Sequence, residues 1–312
     1  MSRILLGRGL RPRAVWHHAL RSELGEIRMP QHVRQWSRVG ATIAVALVLL
    51  AGCGSGGSKA SSTTSAPAGG SGGATQTTAA RPLKVLVTND DGYGAAGIDA
   101  VVEGLRALPD TEVTVVAPLA NQSGTGGKTT DGPLTVTDVK TASGYPAKAV
   151  DGFPADTIIW AIDQHGIDFT PDLVVSGINF GQNIGPSVNI SGTVGAARAA
   201  AARNLPALAS SQGLGDPPAY ATGVTRVLDW VAEHRGALLD GSAVTAKLLE
   251  NINIPTCTTG ANRGVVDVPV ATDAAGRDLN QVDCASTATN PVDDVDAFKE
   301  GFVPLSTLSP TP

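Results

Sequence analysis

Two adjacent carboxylates, Asp90 and Asp91, stand at the end of a short β-branched run and are followed by a glycine. Neighbouring negative charges repel each other unless a cation lies beside them. Ser123 and Asn179 follow two further apolar runs and add a hydroxyl and an amide oxygen. Because oxygen ligands favour Mg²⁺, Mn²⁺ or Ca²⁺ over zinc, these four residues predict a divalent-cation site. For an isolated Asp-Asp-Gly, the alternative is a turn that caps a helix.

A second candidate site lies at Ser191, Gly192 and Thr193, immediately before an Ala-rich helical stretch. Small residues at the start of a helix let backbone N–H groups and hydroxyls approach an anion. The alternative is an ordinary helix cap with tight glycine packing. Beside an acidic cation site, a phosphate held between the cation and the helix is the better interpretation.

The run Gly92–Gly97 offers a competing hypothesis, because it matches the G-x-G-x-x-G fingerprint of dinucleotide-binding proteins. Two observations oppose it. The following strand ends in Val116-Ala117-Pro118, without the acidic residue that would bind a ribose hydroxyl. Asp90 and Asp91 would also place negative charge beside a pyrophosphate.

These candidates lie at the ends of alternating strands and helices. The predicted strands cover 84–88, 112–117, 173–176 and 207–210, and the predicted helices cover 98–108, 154–165, 193–204 and 220–239. Short apolar strands that alternate with helices indicate an α/β fold with a parallel sheet covered on both faces. Because the carboxyl ends of parallel strands share one edge, the polar strand ends are expected to converge there.

The charge distribution limits the partners of the protein. Residues 1–52 hold eight Arg against two Glu, and the rest of the chain holds 15 basic and 26 acidic residues. An acidic body argues against nucleic acid as a partner, because phosphate backbones require a basic surface. Only His165 and His234 lie beyond residue 52, so zinc clusters and histidine-based triads are poorly supplied.

The N-terminal residues predict a targeting segment. A largely apolar run, 39–51, follows Arg34 and Arg38 and is shorter than the ~20 residues that span a membrane. It has the length of a signal-peptide core and ends in Leu-Ala-Gly-Cys53, which resembles the lipobox of bacterial lipoproteins. The resemblance implies lipidation of Cys53, export, and anchoring to the outer face of the bacterial cell membrane. An ordinary cleaved signal is the alternative.

The expected organisation is a leader at 1–53, a Gly/Ser/Thr-rich linker at 54–80 and one domain at 81–312. Met29 offers a second start, so residues 1–28 are a candidate gene-start error. Beyond Cys53 the chain holds one further pair of cysteines, Cys257 and Cys284. Outside the cytoplasm such a pair can form a disulfide, and two buried thiols are the alternative.

Five motifs in order carry a resemblance to a known family. They are Val-Thr-Asn-Asp-Asp-Gly-Tyr at 87–93, Val-Val-Ala-Pro at 115–118 with Asn-Gln-Ser-Gly-Thr-Gly at 121–126, Gly-Phe-Pro-Ala-Asp at 152–156, the segment 171–185, and Ser-Gly-Thr-Val-Gly-Ala-Ala at 191–197. Together they resemble the SurE survival-protein family of metal-dependent 5′/3′-nucleotidases. The resemblance implies a Rossmann-like, three-layer α/β fold. It also implies hydrolysis of nucleoside 5′-monophosphates, and as a further option 3′-monophosphates, with Mg²⁺ or Mn²⁺.

The resemblance also assigns roles to individual residues. The implied metal ligands are Asp90, Asp91, Ser123 and Asn179, with Asp90 or Asp91 acting on the attacking water. The implied phosphate and substrate contacts are Asn89, Asn183, Ser191, Gly192 and Thr193. A non-catalytic nucleotide-binding lipoprotein remains the alternative to an enzyme.

The chain departs from the family pattern in two places. Gly-Phe-Pro-Ala-Asp-Thr at 152–157 replaces the usual Gly-Thr-Pro-Ala-Asp-Cys, and the region before Asp293 is shortened. In the family this region builds arms exchanged between subunits. The C-terminal extension is therefore a candidate oligomerisation arm, with a homodimer or homotetramer as the expected assembly.

Overall fold

A computed structural model describes residues 81–312, so the predicted leader, the linker and Cys53 lie outside the described residues. The strands are β1 Leu83–Thr88, β2 Thr111–Pro118, β3 Thr135–Lys140, β4 Pro146–Asp151, β5 Leu173–Phe180, β6 Ala207–Gln212, β7 Leu249–Ile254, β8 Val265–Asp267 and β9 Val303–Thr307. The helices are α1 Ala96–Arg106, α2 Pro154–Ile158, α3 Gly192–Ala201, α4 Tyr220–Asp240, α5 Ser242–Thr245 and α6 Asp294–Lys299. None of the helices in 81–312 is long and apolar enough to cross a membrane.

The strands form one nine-stranded sheet in the order β3-β4-β2-β1-β5-β6-β7-β9-β8. The centre, from β4 to β7, is parallel, as the alternating pattern predicts. Towards both edges the sheet departs from a purely parallel arrangement, because β3 pairs antiparallel with β4 and β9 antiparallel with β7. The β3–β4 hairpin covers residues 135–151, which lie outside the strands and helices predicted from the sequence. The mixed edges result from chain reversals that a run of βαβ units does not contain.

Both faces of the sheet are buried, which confirms the three-layer fold. On β1, Val85 and Val87 face a core formed with α1 and α4, whereas Leu86 faces a second core formed with α2 and α3. Strands buried on both faces read as continuous apolar runs, and β1 does so. In α3, the alanines Ala196, Ala197 and Ala200 let the helix lie close to the sheet without large side chains between them.

The second predicted helix is shorter than the pattern suggested. α2 ends at Ile158, and the chain continues as a wider π-helical turn, Ile159–Asp163. It stops there because His165 takes a left-handed conformation with φ of 54°, which does not extend a helix.

At the amino edge of the parallel sheet, a side-chain interaction joins the beginnings of β1 and β5. Arg81 precedes β1 and donates two hydrogen bonds to Asp172, just before β5, at 2.7 and 2.8 Å. Asp172 also accepts the N–H of Lys84 at 2.8 Å. These contacts tie together the starts of β1 and β5, the two strands whose opposite ends carry the candidate site.

The C-terminal part folds back onto the sheet. β9 pairs with β7 and β8 pairs with β9, so both extend the sheet at one edge. Between β7 and α6 the chain has little regular structure, and a disulfide joins Cys257 to Cys284 with their Cα atoms 5.7 Å apart. That spacing lies within the usual range for a disulfide.

Candidate metal and phosphate site

The candidate site lies at the carboxyl edge of the sheet, between β1 and β5. The chain leaves β1 towards β2 on one side, and β5 leads to β6 on the other, so the strand order reverses here. Crevices at such reversals are the usual ligand sites of open α/β sheets. Asp90 and Asp91 follow β1, Asn179 is the last residue but one of β5, and Ser123 lies on the loop after β2.

The side chain of Asp91 contacts the end of β5 and the loop after β2. Its Oδ2 accepts the backbone N–H of Phe180 at 3.1 Å, and its Oδ1 accepts the side-chain amide of Asn121 at 3.0 Å. The oxygen of Asn121 in turn accepts the N–H of Ser123 at 3.0 Å. Asn121 and the Phe180 N–H were missed as site groups from the sequence, although Asn121 belongs to the same Asn-Gln-Ser motif as Ser123.

Asp90 lies deeper and is held by the start of α3. Its Oδ1 accepts the hydroxyl of Thr193 at 2.6 Å, and its side chain is only 3% exposed. Gly192 packs directly against it, since a Cβ at that position would lie 2.8 Å from the Cβ of Asp90. The first turn of α3 therefore lies against Asp90, with its free N–H groups at the same edge.

Burial controls the electrostatics of the pair. Desolvation raises the pKa of Asp90 to about 6; the Thr193 hydrogen bond opposes this, and the negative charge of Asp91 adds to it. Burial also raises the pKa of Asp91, against the hydrogen bonds from Phe180 and Asn121. The pKa of Tyr220, at the start of α4, is raised to about 12 by burial and by the charge of Asp91.

The donor set fits a divalent cation. Among the ion pairs of residues 81–312, none involves Asp90 or Asp91, so these desolvated carboxylates lack a protein cation. Within the same residues no three His, Cys, Asp or Glu side chains converge, so Ser and Asn oxygens must complete a site. The amide nitrogen of Asn179 is engaged by the carbonyl of Gly181 at 2.6 Å, which leaves its oxygen for a ligand. Such an all-oxygen set suits Mg²⁺ or Mn²⁺.

Besides Thr193, three more of the predicted substrate residues make side-chain hydrogen bonds within the protein. Both polar atoms of the buried Asn89 side chain bind Gly92, at 2.9 and 3.2 Å, and so close the turn that carries Asp90 and Asp91. The side-chain nitrogen of Asn183 donates to Ser211 at 2.9 Å, and Asn183 is 8% exposed. Ser191 caps α3 by accepting the N–H of Val194 at 3.1 Å.

The glycines of the dinucleotide-like run have structural roles. Gly92 has a φ of 97°, which a side chain rarely allows. A Cβ on Gly97 would lie 1.9 Å from the carbonyl oxygen of Ile178, so glycine is needed for α1 to approach β5. Neither requirement involves a pyrophosphate.

A sequence profile described as Survival protein SurE matches residues 85–277, which include every residue of this site. The chain belongs to the SurE family. The 5′-nucleotidase SurE of Azorhizobium caulinodans is 39% identical over 188 residues, 59% of this chain and 70% of that protein. The 5′-nucleotidase SurE of Deinococcus radiodurans is 35% identical over 243 residues, 73% of this chain and 87% of that protein.

A solved SurE structure shares the fold. The crystal structure of the SurE protein from Aquifex aeolicus matches with a TM-score of 0.57 and 25% sequence identity. The match covers 73% of this chain and 93% of that one. The α/β architecture expected from the sequence is thereby confirmed.

Proposed function

We propose that this chain is a divalent-cation-dependent phosphomonoesterase that hydrolyses nucleoside 5′-monophosphates. One observation carries the proposal: at a reversal of the strand order, the buried Asp90 lies against the first turn of α3 beside the half-buried Asp91, and neither carboxylate forms an ion pair within residues 81–312. Membership of the SurE family and relatives named 5′-nucleotidase support it.

Asp90, Asp91, Asn179 and Ser123 would hold the cation, either Mg²⁺ or Mn²⁺. When bound, such a cation polarises a phosphoryl oxygen and makes water a better nucleophile. Thr193 fixes the orientation of Asp90, while Phe180 and Asn121 fix that of Asp91. Each carboxylate is therefore preorganised, and one of them would accept the proton of the attacking water.

The phosphoryl group would lie against the first turn of α3. There the backbone N–H groups of Gly192 and Thr193, aided by the positive end of the helix dipole, would stabilise negative charge on its oxygens. Ser191 shapes this turn, and Asn183 on the neighbouring loop would complete the substrate contacts. Asn89 would act indirectly, because its side chain holds the turn of the two aspartates.

The proposal is tested by phosphate release from the purified chain. Nucleoside 5′- and 3′-monophosphates and a small non-nucleotide ester are assayed with Mg²⁺, Mn²⁺, Ca²⁺ or EDTA. We expect turnover of 5′-nucleotides that EDTA abolishes and Mg²⁺ or Mn²⁺ restores. No turnover with any cation would refute the enzyme, and saturable nucleotide binding in that case would indicate a non-catalytic binding protein.

We also propose that the protein is exported and anchored by lipid at Cys53. The support is the lipobox-like Leu-Ala-Gly-Cys53 and the joined pair Cys257–Cys284, which is typical of oxidising compartments. Cys53→Ser should abolish labelling with a fatty-acid probe and move the protein from the membrane to the soluble fraction. A Ser55→Ala variant serves as the matched control. Undiminished labelling of Cys53→Ser would disprove the anchor.

A further inference from the structure

The loop that carries Asn183, residues 181–185 and here called the substrate loop, is held on its inner side by β7. The N–H of Asn183 donates to the side-chain oxygen of Asn253 at 2.7 Å. The carbonyl of Asn183 accepts the side-chain amides of Asn251 at 2.9 Å and Asn253 at 3.1 Å. These bonds are buried and come from a central part of the sheet.

The outer side of the substrate loop is held differently. The side-chain nitrogen of Gln182 donates to the carbonyl of Leu279 at 2.7 Å and to the side-chain oxygen of Asn280 at 2.8 Å. Ile184 is 1% exposed and packs in a small core that includes Phe298, with Leu279 at its margin. The outer contacts of Gln182 thus come from the segment between the two cysteines.

The segment Cys257–Cys284, here called the closed segment, is tied to β9 and α6 by backbone hydrogen bonds of residues 263–269, whereas residues 272–284, which contact Gln182, lie in no helix or strand. Its one strand is the three-residue β8 at the sheet edge. Arg277 anchors it through Asp293 and Asp296 at 2.7 and 2.8 Å, and these bonds are partly exposed. The disulfide joins its two ends across a sequence separation of 27.

We propose that Gln182 is a positioning residue for the substrate loop and that the disulfide, by ordering the closed segment, sets the affinity for the phosphoryl group. This inference rests on the proposed function. A substrate loop without its outer partners has more conformations to lose on binding, which weakens affinity. Asp90, Asp91 and Asn179 are held by other contacts, so the chemical step should change little once substrate is bound.

The first test replaces the side chain that makes the contact. In Gln182→Leu of the full chain, we expect the KM for a nucleoside 5′-monophosphate to rise about tenfold, since two hydrogen bonds are lost. We expect kcat to stay within about twofold and the dissociation constant of inorganic phosphate, from calorimetry, to rise with KM. Gln281→Leu is the matched control, because Gln281 lies in the closed segment with an exposed side chain and should leave all three values unchanged.

The second test opens the disulfide. Dithiothreitol reduces it to two thiols, with two electrons and two protons passing to the sulfurs as the reagent forms its own cyclic disulfide. Reduced wild type should show the same rise in KM as Gln182→Leu. In Gln182→Leu itself, reduction should raise KM little further, because both changes break the same linkage between the substrate loop and the closed segment. Cys257→Ser with Cys284→Ser should reproduce the reduced state without reagent.

The outcomes separate this inference from the proposed function. Three results would each overturn the inference alone. They are an unchanged KM in Gln182→Leu, a KM in reduced Gln182→Leu that rises by the product of the two single effects, and a loss of kcat without a change in KM. An oxidised wild type that hydrolyses no phosphomonoester refutes the enzyme, and the phosphate dissociation constants of the same variants then decide the positioning role. If the double cysteine variant does not fold, the KM values of Gln182→Leu and reduced wild type still support or overturn the inference.

Discussion

The strand-end loops that carry Asp90, Asp91 and Asn179 differ from the closed segment in what holds them in place. The former continue directly from buried parallel strands, so the hydrogen-bonded sheet fixes where each side chain begins. The closed segment is fixed by one covalent bond, by the pairing of β8 with β9 at the sheet edge and by side-chain contacts. The chemistry of the protein thus depends on its core, whereas the tuning of that chemistry depends on a peripheral constraint.

The largest effect is expected at the strand ends. Asp91→Asn should lower kcat by about a thousandfold or more, or ~4 kcal/mol, because it removes a ligand charge and a proton acceptor. The fold should persist, and without metal the melting temperature should change little, because the loss of a half-buried charge that repels Asp90 offsets the loss of one acceptor for Phe180 or Asn121. Turnover and thermal unfolding with and without Mn²⁺ measure both effects.

The control for this variant is Asp168→Asn, an exposed carboxylate near the amino edge of the sheet. It should leave turnover unchanged. A purely structural Asp-Asp-Gly turn predicts the reverse pattern for Asp91→Asn, with a lower melting temperature and near-normal turnover of the folded fraction.

The closed segment should instead affect stability. Replacing Cys257 and Cys284 by serine should lower the free energy of unfolding by roughly 3–4 kcal/mol, because the open chain has more freedom when unfolded. Urea denaturation of wild type with and without reductant, beside the double variant, measures the loss. Equal unfolding midpoints for oxidised and reduced wild type would contradict it.

Asp90 gives the strand ends a pH-dependent stability. Its pKa of about 6 in the folded protein lies above its ordinary 3.8, so the folded protein binds this proton more tightly than the unfolded chain. Protonation of Asp90 therefore stabilises the folded protein below pH 4. This contribution to the free energy of unfolding, up to about 3 kcal/mol, is lost as the pH rises through 6. In EDTA, wild type should lose this much relative to Asp90→Asn between pH 4 and 7. Parallel stability curves for the two proteins would exclude the shift.

The smallest effect is expected where the two regions meet. Asp294 is buried and accepts the N–H groups of Gly185 and Ala271, both at 2.8 Å. In Asp294→Asn the side-chain oxygen can accept only one of these two N–H groups, and the side-chain NH₂ faces the other. This should lower the free energy of unfolding by about 1–2 kcal/mol. Asp273→Asn, at an exposed carboxylate of the closed segment, provides the comparison. If Asp294→Asn unfolds at the wild-type urea concentration, the two regions are not linked through this residue.

The same contrast determines what the sequence could predict. Asp90, Asp91 and Asn179 could be placed together because they follow apolar runs whose carboxyl ends must meet at one edge of a parallel sheet. Asn121 and the Phe180 N–H could not, since their contacts depend on how two loops bend after the strands end. β8 and β9 were also missed, because such short runs become strands only by pairing with distant residues. Lipidation of Cys53 and the homodimer or homotetramer stay predictions.

The fastening of Arg81 to Asp172 has a practical consequence for handling the protein. This ion pair holds Arg81 at the amino edge of the sheet. The six residues of β1 separate that edge from Asp90 by about 20 Å. A fusion partner, biotin tag or resin linkage added ahead of residue 81 therefore joins the domain at the edge opposite the aspartates. Immobilisation from that side leaves the catalytic edge open to solution, so a sensor surface or a packed column could present the domain in working orientation.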